Sequence, residues 1–148
     1  MNGYELQIKR FSELTAKELY EILRLRSAVF VVEQNCVYQD LDGLDEGAVQ
    51  LFLRRADGSC AACARVHEKP DEPGVFRIGR IVSAERGRGL GMRILLAAVE
   101  ECRRLGAREI YIEAQEYAIG FYEKAGFAVT SGVFLEDGIP HVEMRLGL

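Results

Sequence analysis

Residues 75–106, VFRIGRIVSAERGRGLGMRILLAAVEECRRLG, restrict the fold more than any other part of this chain. They open with VFRIGRIVS, apolar on both faces, the pattern of a strand in the middle of a sheet. They close with a helix whose apolar stripe is Leu90, Ile94, Leu95, Ala98, Cys102 and Leu105, stopped by Gly106. Between the two lie Gly87, Gly89 and Gly91, with Arg86, Arg88 and Arg93 among them. Glycine is about 1 kcal/mol worse than alanine inside a helix, so this helix start is weakened locally. A helix N-terminus presents unpaired N–H groups and partial positive charge. Glycines let an anion approach the backbone closely, and the arginines favour the same ligand. The expected occupant is a phosphate group.

Two familiar phosphate loops fit poorly. A Walker A loop ends in Gly-Lys-Ser/Thr, where this chain has Met92-Arg93. The dinucleotide fingerprint is GxGxxG, against GxGxG here, with Met92 where the third glycine belongs. Glu113 does end the next strand at a suggestive distance, which keeps a nucleotide-binding module as an alternative.

The rest of the chain alternates strands and helices. ELQIKRF reads as a strand, and TAKELYEILRLRSAVFVVEQ as one helix opened by a Thr15–Glu18 capping box, with a stripe of Leu19, Ile22, Leu23, Val29 and Phe30. Arg26 falls on that stripe, and an inward arginine needs carboxylate partners, which residues 41–46 can supply. AVQLFLRR and SCAACARVHE flank Ala56-Asp57-Gly58-Ser59 and make a hairpin. REIYIEAQ is a further strand and YAIGFYEKAGF a short helix stopped by Gly126; strands near Ala128 and over residues 141–145 follow. The 148 residues suit one mixed α/β domain over 1–148.

Charge and cysteines narrow the function. The net charge of −4 argues against a nucleic-acid partner. Residues 77–93 hold five arginines against Glu85, and residues 33–46 hold five acids and no base, which suggests a basic and an acidic pole. No apolar run reaches the ~18 residues needed to span a bilayer. MNGYELQIKR lacks a signal-peptide core, so a cytoplasmic protein without a membrane partner is expected. Cys60 and Cys63 form a CxxC, but three-residue spacing on a strand points the two to opposite faces. They read as small core residues, and no metal site is expected.

Arg86-x-x-Gly89-x-Gly91 is the R/Q-x-x-G-x-G/A pattern, and here the sequence resembles the GNAT superfamily of N-acyltransferases. EAQEYAIGFYEKAGF is similar to the second signature of that family, A-x-x-F-Y-E-K-x-G-F. LRSAVFVVEQNCVYQDLDGLDE and EDGIPHVEMRL resemble its small bacterial ElaA-type subgroup. The resemblance implies a mostly antiparallel, twisted sheet with helices on both faces. It implies that the amides of Arg88, Gly89, Leu90, Gly91 and Met92, beside Arg86, hold the pyrophosphate of acetyl-coenzyme A. The pantetheine arm would then pair with the strand at Ile81, Val82 and Ser83.

An amine attacking a thioester needs deprotonation, a polarised carbonyl and a proton for the leaving thiolate. Tyr122 matches the family tyrosine that serves the sulfur, and a strand-edge N–H near Val82 can polarise the carbonyl. The base is Glu33 or Glu113, acting directly or through water. Tyr38 and His141 are expected on the acceptor side, which would take a small-molecule or peptide amine; a homodimer is allowed. Gln50 departs from the subgroup, which often has histidine there. Asp40-x-Asp42-x-x-Asp45 with Arg26 and Phe30 also echoes acyl-homoserine-lactone synthases, although those chains are longer and usually carry a tryptophan that this one lacks. An acyl-coenzyme A sensor is the remaining alternative, and it would not need Tyr122.

Overall fold

A computed structural model describes residues 3–148, so the first two residues of the expected domain lie outside the described residues. The strand–turn–helix unit is present as β4 (Val75–Ser83), the glycine turn and α2 (Leu90–Arg104), and α2 leads on to β5 (Glu109–Gln115). A helical crossover returns the chain in its original direction, so β4 and β5 pair in parallel. Every other pairing is antiparallel. The remaining strands are β1 (Tyr4–Arg10), β2 (Val49–Arg55), β3 (Cys60–Glu68), β6 (Ala128–Val129), β7 (Phe134–Glu136) and β8 (Ile139–Gly147). The sheet order is β1-β2-β3-β4-β5-β8-β6, with β7 also on β8. β4 is therefore central, as its sequence predicts.

Helices cover both faces. Leu51, Leu53, Ala62, Ala64 and Ile110 pack with Ile94, Leu95 and Ala98 of α2. On the opposite face Phe52, Cys63 and Val82 pack with Ile22 and Leu25 of α1 (Ala16–Arg26). The short helix α3 (Ile119–Glu123) lies on the α2 side, where Phe121 would meet a Cβ placed on Gly91 at 3.5 Å. Among the described residues no helix is long and apolar enough to cross a membrane.

Several local expectations are corrected. The first helix keeps its capping box but is regular only to Arg26; residues 27–33 continue as a π-helical turn. Its buried face is Glu18, Glu21, Ile22, Leu25 and Arg26, while Leu19 and Leu23 are only half-buried. In α2 Val99 is buried, and Leu105 is a partly exposed C-cap. Leu6 and Ile8 of β1 are exposed because this is an edge strand that α2 does not reach across. The hairpin turn Asp137-Gly138 pairs the unexpected strand β7 with β8. Cys60 and Cys63 do not face opposite ways. Arg54 pairs with Cys60 and Leu53 with Ala62, so Ala61 is an extra residue, and this bulge puts both thiols in the core under α1. Both are free.

Candidate functional site

β4 and β5 pair only from Val75 opposite Glu109 to Arg77 opposite Tyr111, and then part. A cavity of about 830 Å³ opens where they separate. Ile81, Val82 and Ser83 line one wall, and the floor runs to Arg86, Gly89, Leu90, Gly91 and Met92. Gly87 and Gly89 take φ of +76° and +70°, which only glycine adopts without strain. Gly89 is the N-cap of α2, and no side chain caps this end. The N–H groups of Leu90, Gly91 and Met92 thus have no acceptor in their own helix. A Cβ on Gly87 or Gly89 would meet no protein atom within 4 Å, so the space above both is open. An open, uncapped helix start with arginine beside it fits a diphosphate. Arg88 itself pairs with Glu85 at 2.8 Å and does not line the cavity, so of that residue only the backbone remains for such a ligand.

The two charged runs are not separate poles throughout: they meet at Arg80, which pairs with Asp40 and Asp42, and at Arg86, which pairs with Glu33. Arg26 reaches Asp40 at 3.1 Å and Asp45 at 2.7 Å; Arg80 reaches Asp40 at 2.7 Å and Asp42 at 3.2 Å. Arg65 closes the circuit, with Asp42 at 2.6 Å and Asp45 at 3.3 Å. Six charges of alternating sign form one closed, neutral ring. Arg26 is buried with carboxylate partners, as its place on the helix stripe requires; Asp45 lies within the expected residues 41–46, whereas the second partner, Asp40, lies just before them. Burial works against its charge, but the hydrogen bond to Asp45 and the two aspartates outweigh this and raise its pKa. Gln50 is buried at the ring's edge and donates to Asp45, so it is a support for the ring and not a wall of the cleft. Tyr38 donates its hydroxyl to Asp40 at 2.8 Å while its ring lines the cavity.

The residues with acid–base chemistry divide sharply. Glu33 does not line the cavity; it is half-exposed and paired with Arg86. Its place at the end of the π-helical turn aims it at the glycine turn, not at the cleft between the strands. Glu113 does line the cavity, held by Arg77 at 3.0 Å and by the Tyr111 hydroxyl at 2.7 Å. Glu136, which the sequence reading missed, lines the same cavity as Glu113. Burial opposes the charge on Glu113, but Tyr111, Glu136 and Arg77 together lower its pKa. Glu136 is pushed the other way, by lost hydration and then by the Glu113 carboxylate. The signal for Glu136 was the Asp137-Gly138 turn pair, which marks a hairpin that folds this strand over the cleft.

Tyr122 lines the cavity, with its ring edge-on to Phe121 and Phe127 at 5.1 and 6.0 Å. Burial raises its pKa, so the phenol keeps its proton at neutral pH. Its hydroxyl has no hydrogen-bond partner among the described residues. His141 is buried against Phe134, with Nδ1 2.7 Å from the Ile139 carbonyl. A carbonyl only accepts, so this contact requires a proton on Nδ1. His141 lines the same cavity as Tyr122 and Glu113.

Comparison with known proteins agrees with this geometry. Residues 11–148 match the family model described as an acetyltransferase (GNAT) domain. A UPF0039 protein of Schizosaccharomyces pombe is 42% identical over 100% of both chains. The crystal structure of Escherichia coli ElaA is similar at a TM-score of 0.88 and 36% identity, covering 96% of this chain and 98% of that one. That of an acyl-CoA N-acyltransferase from Pseudomonas aeruginosa also gives 0.88, with 40% identity over 95% of this chain and 98% of that one. The cleft, the glycine turn and these likenesses agree: the chain belongs to the GNAT family of acyl-CoA-dependent acyltransferases.

Proposed function

We propose that residues 1–148 act as one N-acetyltransferase domain that moves an acetyl group from acetyl-coenzyme A to a primary amine by direct attack on the thioester. The observation that carries this reading is the parting of β4 from β5 into a cleft that ends at the uncapped start of α2. In this reading the pyrophosphate lies on the amides of Arg88, Gly89, Leu90, Gly91 and Met92, with Arg86 as a counter-charge. The pantetheine arm runs along Ile81, Val82 and Ser83, and a strand-edge N–H beside Val82, turned away from β3, polarises the carbonyl. The amine nitrogen attacks the carbonyl carbon, the carbon–sulfur bond breaks, and Tyr122 gives its proton to the sulfur. The amine's proton goes to the Glu113–Glu136 carboxylate pair, directly or through water. This pair replaces Glu33 as the base, because Glu33 is committed to Arg86 outside the cavity.

Tyr38 and His141 line the acceptor side, where a small-molecule or peptide amine enters. No nucleic acid, membrane or metal enters this scheme, the setting is cytoplasmic, and a homodimer is compatible with it. Tyr122 in the cavity favours an enzyme over an acyl-coenzyme A sensor. The test has two stages. Coenzyme A should raise the melting temperature, while pantetheine without its phosphates should do so far less; equal stabilisation by NAD would favour a nucleotide module. Amines are then screened for thiol release from acetyl-coenzyme A, and if no amine class gives release the transferase reading fails.

A further inference from the structure

β4 changes face partway along its length. Ile78 lies opposite Val66 and Gly79 opposite Arg65, but beyond a register shift Val82 lies opposite Cys63. Arg80 and Ile81 therefore share the single partner Ala64, a β-bulge whose first residue, Arg80, has φ of +54°. The bulge resets the alternation, so that Ile78 packs under α2 and Val82 under α1. Bulges with a left-handed first residue ordinarily place glycine there, since a Cβ is disfavoured at positive φ. An arginine in that conformation persists only if its surroundings hold it.

The side chain of Arg80 supplies the hold. Its Nε donates to Asp40 Oδ1 at 2.7 Å, and its second nitrogen donates to the Asp40 carbonyl at 3.0 Å and to Asp42 at 3.2 Å. The guanidinium also lies 5.6 Å from the centroid of the Tyr38 ring. Both aspartates are fixed from behind, Asp40 by Arg26 and Asp42 by Arg65. We propose that Arg80 is a positioning residue: the aspartates grip its guanidinium, and through it they hold the bulge that aims the far half of β4 into the cleft. The loop carrying Tyr38 and the strand carrying Val82 then move as one body. The inference rests on the acetyl-coenzyme A reading only for what the strand is aimed at.

Arg80→Ala and Arg80→Gly remove the same guanidinium and differ in their tolerance of positive φ, so comparing them isolates the bulge. Amide hydrogen exchange measured without ligand gives the readout. Beyond the bulge the Ala84 N–H donates to the Ala61 carbonyl at 2.8 Å; before it the Lys69 N–H donates to the Val75 carbonyl at 2.7 Å. Exchange at Ala84 should be roughly tenfold faster in Arg80→Ala than in Arg80→Gly, with Lys69 alike in both. Arg80→Asn should follow glycine, since asparagine is enriched at positive φ. An alanine variant that fails to fold while the glycine and asparagine variants fold shows the same dependence. Equal behaviour of alanine and glycine, or unfolding of all three, overturns the proposal, because the ring would then matter only as charge. In a second arm, Arg80→Ala should lose more affinity for acetyl-coenzyme A than Arg80→Gly does. A parent protein that binds neither acetyl-coenzyme A nor coenzyme A defeats the functional reading, and the exchange result still decides this one.

Discussion

Glu33 and Glu113 carry the same carboxylate, and the fold gives them opposite neighbours. Glu33 meets Arg86 at the exposed rim, while Glu113 meets Arg77, Tyr111 and a second acid inside the cleft. Glu33→Gln should therefore leave turnover at saturating acetyl-coenzyme A unchanged. By freeing Arg86 it should tighten coenzyme A by about two- to five-fold at low salt, because exposed ion pairs are weak and easily screened. A loss of turnover of about tenfold would restore Glu33 as the base. Tyr122→Phe keeps the ring between Phe121 and Phe127 and removes only the hydroxyl. General acid–base groups contribute about 10²–10⁴-fold, and a thiolate leaves readily, so turnover should fall by about 10²-fold. Coenzyme A affinity and melting temperature should barely move. Unchanged turnover would make Tyr122 a packing residue.

At the scale of elements, the sequence was legible wherever one strong local signal decided the structure. The capping box at Thr15, the glycine stops at Gly106 and Gly126, and the hairpin at Asp57-Gly58 all appear where they were read. Reading failed where a single extra residue resets the alternation. The bulges at Ala61 and Arg80 turn Cys60 and Val82 to faces that strict alternation forbids, and neither position carries glycine to announce it. The cleft residues Glu113, Tyr122 and His141 were legible through their motifs. Glu136 was not, because it reaches the cavity only through β7 turning into its pairing with β8. The glycine turn gives a test of its own at this scale. Gly89→Val should cost the free protein about 1–2 kcal/mol, from positive φ alone, since its Cβ meets no protein atom. The same variant should lose the coenzyme A melting shift entirely, because the side chain fills the space above the helix start. A retained shift would move the phosphate site off this turn.

Across the whole molecule, the closed ring ties α1, the loop that follows it, β3 and β4 into one unit on the side of the cleft that Tyr38 lines. Local sequence could show that Arg26 faces inward but could not choose its partners, since five acids lie within residues 33–46. Its members are not equally replaceable. Asp45→Ala leaves Arg26, 1% exposed, with half of its carboxylate pairing, and deprives Gln50 of an acceptor. Breaking a buried pair this way costs about 3–5 kcal/mol, which for a chain of this size lowers the melting temperature by roughly 6–20 °C. Arg26→Met should cost less, because Asp40 keeps Arg80 and Asp45 keeps Arg65. Asp42→Ala does not touch Arg26 and should fall between the two. Adding Asp45→Ala to Arg26→Met should then cost less than Asp45→Ala alone, since the stranded charge is already gone. The pH dependence has a definite sign. Burial opposes the charge on Asp45, but Arg26 lowers its folded pKa below the unfolded value. The stability it contributes is present above about pH 4 and is lost as pH falls through the depressed folded value. Thermal melts of the parent should fall below about pH 4, and Asp45→Asn should flatten that acid limb. Additive costs in the double variant, with an acid limb unchanged by Asp45→Asn, would mean that the ring is wet and its charges are individually solvated.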